Sequence, residues 1–189
     1  MNIIIIGGAG GIGSQLVHDL MGTHNLLVGY RSSRIDVPVE SVQLDATNFD
    51  SVSNLIQNAQ EKMDSIDAVV CLPGSLILKP AHKCTEDEFH STINTNLKTS
   101  FAVVHAVGGL LRDCSVVLMS TSAASIGLPN HELISASKAG VEGMVRSAAK
   151  TYARKNLRFN TVSPGMVDTP LTESITKNDI VRKASEKMH

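Results

Sequence analysis

The sequence predicts an α/β fold in which one parallel sheet is covered by helices on both faces. Short apolar runs such as "NIIII", "NLLVGY" and "DAVVCL" have the length of β-strands, and longer stretches with helical periodicity separate them. The strands are apolar almost without interruption, which is typical of parallel strands that are buried on both sides. This alternation of strands and helices indicates a doubly wound sheet.

The first half of the chain contains four predicted strands and two predicted helices. The strand "NIIII" precedes the helix "IGSQLVHDLM", and "NLLVGY" is the second strand. The third strand, "VESVQL", follows a connection that contains Pro38 and is too short for a crossover helix, so we expect a thin sheet edge there. The helix "FDSVSNLIQNAQEKM" and the strand "DAVVCL" come next.

The second half of the chain begins with a long predicted helix. Its start at Thr85 has the pattern of a capping box, "TEDE", and the helical pattern continues to Leu111. The strand "SVVLMS", a helix that carries Lys138, the strand "LRFNTVS" and a last polar helix follow. We see no internal repeat and no linker, so residues 1–189 are predicted to form a single domain.

Composition excludes several classes of partner. The formal net charge is −1, from 17 basic and 18 acidic residues, which predicts no nucleic acid and no membrane among the partners. Aromatic residues make up 3% of the chain and Trp is absent, which leaves little material for stacking on bases. The three cysteines (Cys71, Cys84 and Cys114) are far apart and form no CxxC pair, so we expect a cytoplasmic protein without disulfides or a metal site.

A glycine-rich loop, "GGAGGIG", lies between the first strand and the first helix. Such a loop lets the backbone approach a pyrophosphate, which is then bound at the helix N-terminus. The glycines fit three patterns: G-x-G-x-x-G from Gly8, G-x-x-G-x-x-G from Gly7, and G-x-x-x-G-x-G through Gly7, Gly11 and Gly13. The position of the loop, rather than its spacing, therefore predicts dinucleotide binding, and the alternative is a merely tight turn.

The end of the second strand predicts which dinucleotide is bound. In Rossmann-type domains that prefer NAD, an acidic residue at this place binds the ribose 2′-hydroxyl, whereas a basic residue accommodates the 2′-phosphate of NADP. Here Tyr30 takes the acidic position, and Arg31 and Ser32 follow it. We therefore expect NADP(H) in preference to NAD(H), although an arginine at a strand end is by default solvated surface.

With these motifs together, the chain resembles the short-chain dehydrogenase/reductase family over almost its whole length. The glycine loop is similar to the family's TGxxxGIG, with Ile6 in place of the threonine. "LDAT" at 44–47 resembles the acidic motif on the adenine side, and "CLPG" at 71–74 stands where NNAG is usual. "INTNLKTSF", "SASKAG" and "NTVSPGMVDTPL" match three further family motifs in order and spacing.

The resemblance implies a Rossmann-type domain that transfers hydride between a nicotinamide and a carbonyl or secondary alcohol. It assigns Lys138 to the nicotinamide ribose, Asn96 to an ordered water, and Thr121 to the place of the serine that binds the carbonyl oxygen. The residues that the resemblance implies for cofactor binding are Gly7, Gly10, Gly11, Ile12, Gly13, Arg31, Ser32, Asp45, Ala46, Pro73, Gly74, Lys138, Pro164, Gly165, Val167 and Thr169.

The chain departs from the family pattern at three places. Ile134 stands where the family has the tyrosine that protonates the substrate, and Cys71 with Leu72 replaces the NNAG asparagines. The chain also stops before the family's final strand, which would cover one edge of the sheet. The 189 residues are then either a fragment or a chain that protects this edge in another way.

His131 is the candidate replacement for the missing proton donor. It lies about two helical turns before Lys138, and Pro129 and Asn130 indicate a helix that begins there with Asn130 as its cap. An imidazole can donate a proton near neutral pH, so His131 is predicted to be the acid. The alternative is an exposed loop histidine, while Ser135, a second candidate, is better explained by local packing or capping.

These observations lead to three functional hypotheses. The first is an NADP(H)-dependent short-chain oxidoreductase of unknown small-molecule substrate that forms a homo-oligomer, a dimer or tetramer. The second is a non-catalytic dinucleotide-binding protein, a sensor or partner subunit, which the presence of Ile134 favours. The third is a sugar-nucleotide epimerase, suggested by the G-x-x-G-x-x-G pattern and opposed by a chain too short for a sugar-nucleotide domain.

Overall fold

The computed structural model of the chain describes residues 1–188 and contains a six-stranded sheet. All five strand pairings are parallel, and the strand order is β3-β2-β1-β4-β5-β6. The strands are β1 (Asn2–Ile6), β2 (Asn25–Tyr30), β3 (Glu40–Gln43), β4 (Ala68–Cys71), β5 (Ser115–Met119) and β6 (Arg158–Val162). His189, which the predicted domain includes, lies outside the described residues.

Helices connect the strands, except between β2 and β3, and cover both faces of the sheet. A π-helical segment, Asn94–Lys98, joins α3 to α4. The α-helices are α1 (Gly11–Leu20), α2 (Phe49–Lys62), α3 (Glu86–Ile93), α4 (Thr99–Leu110), α5 (Ala123–Ile126), α6 (Glu132–Thr151), α7 (Glu173–Thr176) and α8 (Asp179–Met188). The predicted doubly wound parallel sheet is confirmed.

The core consists of two apolar clusters, one on each face of the sheet. The side chains of Ile4 and Ile6 belong to the larger cluster, with α2, α4 and α6, whereas those of Ile3 and Ile5 belong to the smaller one. Neighbouring side chains of a strand point to opposite faces, so both sets of isoleucines in β1 are buried. This explains why the strand has no polar position in its centre.

The two edges of the sheet differ in how they are covered. The connection between β2 and β3 contains no helix, and β3 has only four residues, so the predicted thin edge is confirmed. At the other edge, β6 pairs with β5 alone among the described strands, and the side chain of Val162 is half exposed.

The long helix predicted from Thr85 to Leu111 is present, but it is not uniform. The Thr85 hydroxyl accepts a hydrogen bond from the Glu88 N–H, and the Glu88 carboxylate accepts one from the Thr85 N–H, which forms the predicted capping box. The π-helical segment interrupts the helix in its middle, and Leu111 is the C-cap.

The predicted start of the helix that carries Lys138 is wrong by one residue. Asn130 has a φ of 65°, in the left-handed region, whereas a capping asparagine has an extended backbone. His131 is the N-cap, and α6 begins at Glu132. Asn130 therefore forms the tight turn before the cap, a conformation that Asn tolerates better than most residues.

Within residues 1–188, no helix combines the length and the apolar character needed to cross a bilayer. The three cysteines are free thiols, and Cys71 and Cys114 are buried like small apolar residues in or beside strands. Burial raises the pKa of the Cys71 thiol to about 12, so this thiol stays protonated at neutral pH.

Candidate active site

The glycine loop folds into a turn that leaves no room for a side chain at Gly8, Gly11 or Gly13; a Cβ at Gly8 would lie 2.4 Å from Cγ1 of Val28. Gly7 has a φ of 84°, which glycine adopts freely. A Cβ at Gly13 would lie 2.3 Å from the Gly7 carbonyl oxygen, and a Cβ at Gly11 would lie 2.6 Å from the Cβ of Thr169. A Cβ at Gly10 would meet only the Gly7 oxygen, at 3.4 Å. Of the three possible patterns, the loop therefore fits G-x-x-x-G-x-G through Gly7, Gly11 and Gly13.

The loop leads directly into the N-terminus of α1. Gly10 is the N-cap, and in the described chain no side chain caps this end of the helix. The first N–H groups of a helix have no partner within the helix, and they carry the positive end of its dipole. This end of α1 can therefore bind an anion such as a pyrophosphate.

A cavity of about 550 Å³ extends from the glycine loop to the ends of β2 and β4. The Asp45 carboxylate at its rim accepts hydrogen bonds from the hydroxyl and the N–H of Thr47, which hold the pKa of Asp45 below its usual value. The predicted cofactor residues that line this cavity are Gly7, Gly10, Gly11, Ile12, Gly13, Arg31, Ser32, Asp45, Ala46, Pro73, Gly74 and Thr169.

A smaller cavity of about 160 Å³ adjoins the first one, and Ile12, Gly74 and Thr169 line both. Its walls are largely apolar and come from the ends of β4 and β5, from α6 and from the loop after β6. The remaining predicted site residues all line this cavity: Asn96, Thr121, His131, Lys138, Pro164, Gly165 and Val167. The fold thus brings every predicted site residue to one of two adjoining cavities.

Lys138 is the buried cation of the smaller cavity. Its side chain is 5% exposed, and its Nζ donates a hydrogen bond of 2.8 Å to the Met119 carbonyl oxygen. Among the ion pairs of the described residues, none involves Lys138. Burial lowers the pKa of Lys138 to about 8, against a smaller opposing effect of the Cys71 thiol.

Asn96 lies in the π-helical segment and is fully buried. Its Nδ2 donates to the Ser75 hydroxyl at 2.9 Å and to the Thr92 carbonyl at 3.0 Å, and its Oδ1 accepts from the Ser75 N–H at 3.2 Å. A Cβ at Gly74 would lie 3.3 Å from Asn96 Oδ1 and 3.9 Å from Lys138 Nζ. Gly74 therefore occupies the space between the amide and the amine.

Of the three neighbouring hydroxyls after β5, Thr121 is the one suited to a substrate. Ser120 also lines the cavity, but its hydroxyl donates its hydrogen to the Glu142 carboxylate at 2.7 Å. The Ser122 hydroxyl is buried and has no partner among the described residues. Thr121 lines the cavity, and its Oγ1 accepts from the Ala123 N–H at 3.3 Å, so its own hydrogen can be donated.

His131 is not an exposed loop histidine, because its side chain is only 8% exposed and lines the smaller cavity. Its Nδ1 lies 2.7 Å from the Pro129 carbonyl oxygen. A carbonyl oxygen can only accept, so this contact places a hydrogen on Nδ1. The other nitrogen, Nε2, then carries a hydrogen only in the imidazolium form, and His131 can donate from Nε2 only when it is protonated.

Ile134, at the position where the resemblance predicts a tyrosine, gives the smaller cavity an apolar wall. Its side chain is 5% exposed and lines the cavity together with Lys138. The Ser135 hydroxyl donates to the Ala123 carbonyl at 3.0 Å, so this residue connects α6 to α5 instead of capping its own helix.

Three features of the site have no counterpart in the sequence motifs. Ser75 follows Gly74 directly and binds the Asn96 amide. Its place next to the "CLPG" motif was the one feature of the sequence that could have pointed to it as a site residue. The Met119 carbonyl is a backbone group, whose role no residue type indicates. The Glu142 carboxylate accepts from two serines that flank the cavity, and nothing in the family motifs points to it.

Comparison with known proteins supports the assignment made from the motifs. The model of a family described as enoyl-(acyl carrier protein) reductase matches residues 27–189. The hydroxynaphthalene reductase-like protein Arp2 of Metarhizium acridum (strain CQMa 102) is 32% identical over 190 residues, which cover 91% of this chain and 70% of Arp2. The 3-oxoacyl-[acyl-carrier-protein] reductase MabA of Mycobacterium tuberculosis (strain CDC 1551 / Oshkosh) is 28% identical and covers 92% of this chain and 72% of MabA.

The share of the relative's length that this chain covers differs from one relative to the next. For Arp2 proteins from several other Metarhizium species, the chain spans about half of the relative's length, 51%. Among solved structures, the crystal structure of gox2181 has a TM-score of 0.88 at 24% identity and covers 97% of this chain and 79% of that one, which shows a shared fold. The chain belongs to the short-chain dehydrogenase/reductase family.

Proposed function

We propose that the chain is an NADP(H)-dependent oxidoreductase that interconverts a carbonyl and a secondary alcohol. The observation that carries the proposal is the shared wall of the two cavities. Ile12, Gly74 and Thr169 line both, so that a ligand along the glycine loop can reach the cavity that holds Lys138 and Thr121. Family membership supports the reaction class.

The chain has a cradle that fits a dinucleotide. Side chains at Gly11 and Gly13 would collide with neighbouring atoms, so only glycine fits at these two positions. Because glycine has no side chain, the backbone of the loop stays accessible to a pyrophosphate. Arg31 and Ser32 line the larger cavity after β2, where they would bind a 2′-phosphate, and this favours NADP(H) over NAD(H). Bound in this cradle, the reduced dinucleotide supplies the hydride.

The residues of the smaller cavity would position and protonate the substrate. The Thr121 hydroxyl donates a hydrogen bond to the carbonyl oxygen, and Lys138 binds the nicotinamide ribose. The buried Asn96 amide orders a water, and the His131 imidazolium donates a proton to the oxygen from Nε2. The apolar wall that includes Ile134 keeps other water out of the site.

We also propose that residues 1–189 act as one dinucleotide-binding domain, in the reducing environment of the cytoplasm, and that the chain forms a homo-oligomer.

A groove of about 680 Å³ between α4 and α6 has exposed apolar walls, including Leu97, Met144 and the half-exposed Phe101. A second copy of the chain would bury this surface. Phe101→Glu should then lower the molar mass measured by light scattering to that of a monomer.

Two measurements test the proposed activity. Titrations with NADPH and NADH should show binding of both, with NADPH tighter. Oxidation of NADPH should then be followed with a panel of small uncharged aromatic and aliphatic ketones and aldehydes, chosen for the apolar lining of the smaller cavity. Failure to bind either dinucleotide contradicts the proposal. Binding without turnover, in both the parent and Ile134→Tyr, favours the non-catalytic alternative.

A further inference from the structure

The carboxylate of Glu142 joins three elements of the fold behind the smaller cavity. Its Oε1 accepts a hydrogen bond of 2.7 Å from the hydroxyl of Ser120, directly after β5, and one of 3.1 Å from the hydroxyl of Ser163, directly after β6. Glu142 itself lies in α6, one turn after Lys138. A single oxygen atom thus connects two strand ends and the helix that carries the lysine.

The two serines flank the segments that form the cavity. Thr121 follows Ser120, and Pro164 follows Ser163; both line the cavity. The two segments run side by side beyond the end of the sheet, because the Ser120 N–H donates to the Val162 carbonyl at 2.8 Å and the Ser122 N–H donates to the Pro164 carbonyl at 2.9 Å. Any change in the spacing of these segments moves Thr121 relative to the loop after β6.

The carboxylate of Glu142 has neutral partners and no ion pair among the described residues. Glu142 is partly buried. Its partners are neutral hydroxyls, and a hydroxyl that donates to a carboxylate makes a shorter and stronger bond than one that donates to a neutral acceptor. The Ser120 side chain is buried and lies 3.4 Å from the Lys138 carbonyl oxygen, so the same hydroxyl also contacts the backbone of the lysine.

We propose that Glu142 is a positioning residue, which fixes the spacing between the Thr121 segment, the loop after β6 and the backbone of Lys138. It does not touch the substrate or the cofactor and acts through Ser120 and Ser163. The effect of Glu142 on catalysis rests on the proposed function. Its effect on the spacing of the three segments, here called the mechanical role, can be measured in the protein without any ligand. Loss of the Glu142 carboxylate should therefore disturb the half of the site that binds the nicotinamide. It should leave unchanged the half that binds the adenine, at the ends of β2 and β3.

Amide hydrogen exchange by NMR tests the mechanical role. In Glu142→Ala, the Ser120 and Ser122 amides should exchange about tenfold faster than in the parent, while the amides of β1 and β2 keep their rates. Glu142→Gln retains an acceptor oxygen and should restore most of the protection. Glu132→Ala, at an exposed glutamate of the same helix, is the matched control and should change neither.

Ligand binding tests the role in the site. Glu142→Ala should weaken NADPH binding about fivefold to tenfold and leave the affinity for adenosine 2′,5′-bisphosphate, which lacks the nicotinamide half, unchanged. Unchanged exchange at Ser120 and Ser122, or acceleration of the whole sheet by the same factor, overturns the proposal. An equal loss of affinity for both ligands also overturns it. If the parent binds neither ligand, the proposed function is wrong, and the exchange rates alone decide the role of Glu142.

Discussion

The Nζ of Lys138 donates its hydrogen bond to the carbonyl oxygen of Met119, the last residue of β5, at 2.8 Å. The orientation of the amine therefore comes from the backbone of β5, an interior strand, and not from the residue one helical turn earlier, which is Ile134. A tyrosine at that place is not needed to hold the lysine in the cavity. An isoleucine at position 134 is therefore compatible with this position of the amine.

The first prediction concerns the stability cost of this buried amine. The folded pKa of about 8 lies below the ordinary value of 10.5, so the unfolded chain binds more protons between these pH values, and stability should rise as pH rises through this window. Below pH 8 the full cost, at most roughly 3 kcal/mol, is present. Lys138→Met should therefore increase the free energy of unfolding at pH 7 by about 1–3 kcal/mol.

Urea unfolding measured at pH 7 and pH 10 checks this stability prediction. The gain in Lys138→Met should shrink at pH 10, where the parent lysine is largely neutral. Lys150→Met, at an exposed lysine of the same helix, should show neither the gain nor its pH dependence. A loss of stability at pH 7 in Lys138→Met would show that burial of the ammonium is compensated by other groups.

The second prediction concerns the contribution of Lys138 to cofactor binding. Lys138→Ala should weaken NADPH binding by about tenfold or more, ~1.4 kcal/mol, because the ribose hydroxyls lose a charged donor. In the parent, affinity should fall as pH rises through about 8, because the free amine then loses its charge. Titrations at pH 6.5 and 9 should show this change in the parent and not in the variant. Equal affinities for the parent and the variant would mean that the cofactor does not reach the lysine.

The third prediction tests the pattern of the glycine loop. Gly13→Ala should weaken NADPH binding by about tenfold or more and destabilise the fold by ~1–3 kcal/mol, because its Cβ would lie 2.3 Å from a backbone oxygen. Gly10→Ala is the matched control: its φ of −75° suits any residue, and its Cβ would have an ordinary contact. Loss of NADPH affinity in Gly10→Ala would instead support one of the two patterns that include Gly10.

Much of the fold follows from the periodicity of the sequence, and most of the site from the order of its motifs. The run "NIIII" predicted a strand buried on both faces, because apolar residues at successive positions can all be buried only in such a strand. Lys138 and Thr121 could be aligned on family motifs, and the parallel topology brings the carboxyl ends of neighbouring strands together at one edge.

The remaining features of the site depend on contacts between individual atoms, which a sequence pattern does not reveal. The orientation of the His131 ring depends on a contact with the Pro129 carbonyl, and any residue could have supplied that carbonyl. The π-helical segment Asn94–Lys98 could not be predicted, because each of its residues is also compatible with an α-helix. Glu142 looks like a solvated helix glutamate in the sequence, and only the approach of two serines distinguishes it.

The fourth prediction concerns the choice between the two dinucleotides. Arg31→Asp should reverse the preference for NADPH over NADH, since the substitution removes a charge-assisted contact worth ~1.5 to 3 kcal/mol and adds a repulsive charge. Arg34→Asp is the matched control, because Arg34 lies in the same connection but does not line the larger cavity. Tighter binding of NADH by the parent would contradict the role of Arg31.

The last prediction concerns the source of the proton. If His131 donates it, His131→Ala should lower turnover by about 10² to 10⁴, the usual contribution of a positioned acid, and leave NADPH affinity unchanged. The bond from Nδ1 to the Pro129 carbonyl leaves Nε2 as the ring nitrogen that can donate to a carbonyl oxygen in the cavity. His131→Gln, an uncharged donor, should recover binding of the carbonyl oxygen but little of the rate.

Ile134→Tyr is the paired variant that separates a replaced donor from a lost one. The phenol would stand one helical turn before Lys138, whose Nζ is fixed by Met119 and would lie close enough to lower the pKa of the phenol. In the His131→Ala background, Ile134→Tyr should therefore raise turnover on the same carbonyl substrate, because the lysine, Thr121 and Asn96 are already in place. Parent-like turnover in His131→Ala alone would rule out the histidine as the acid.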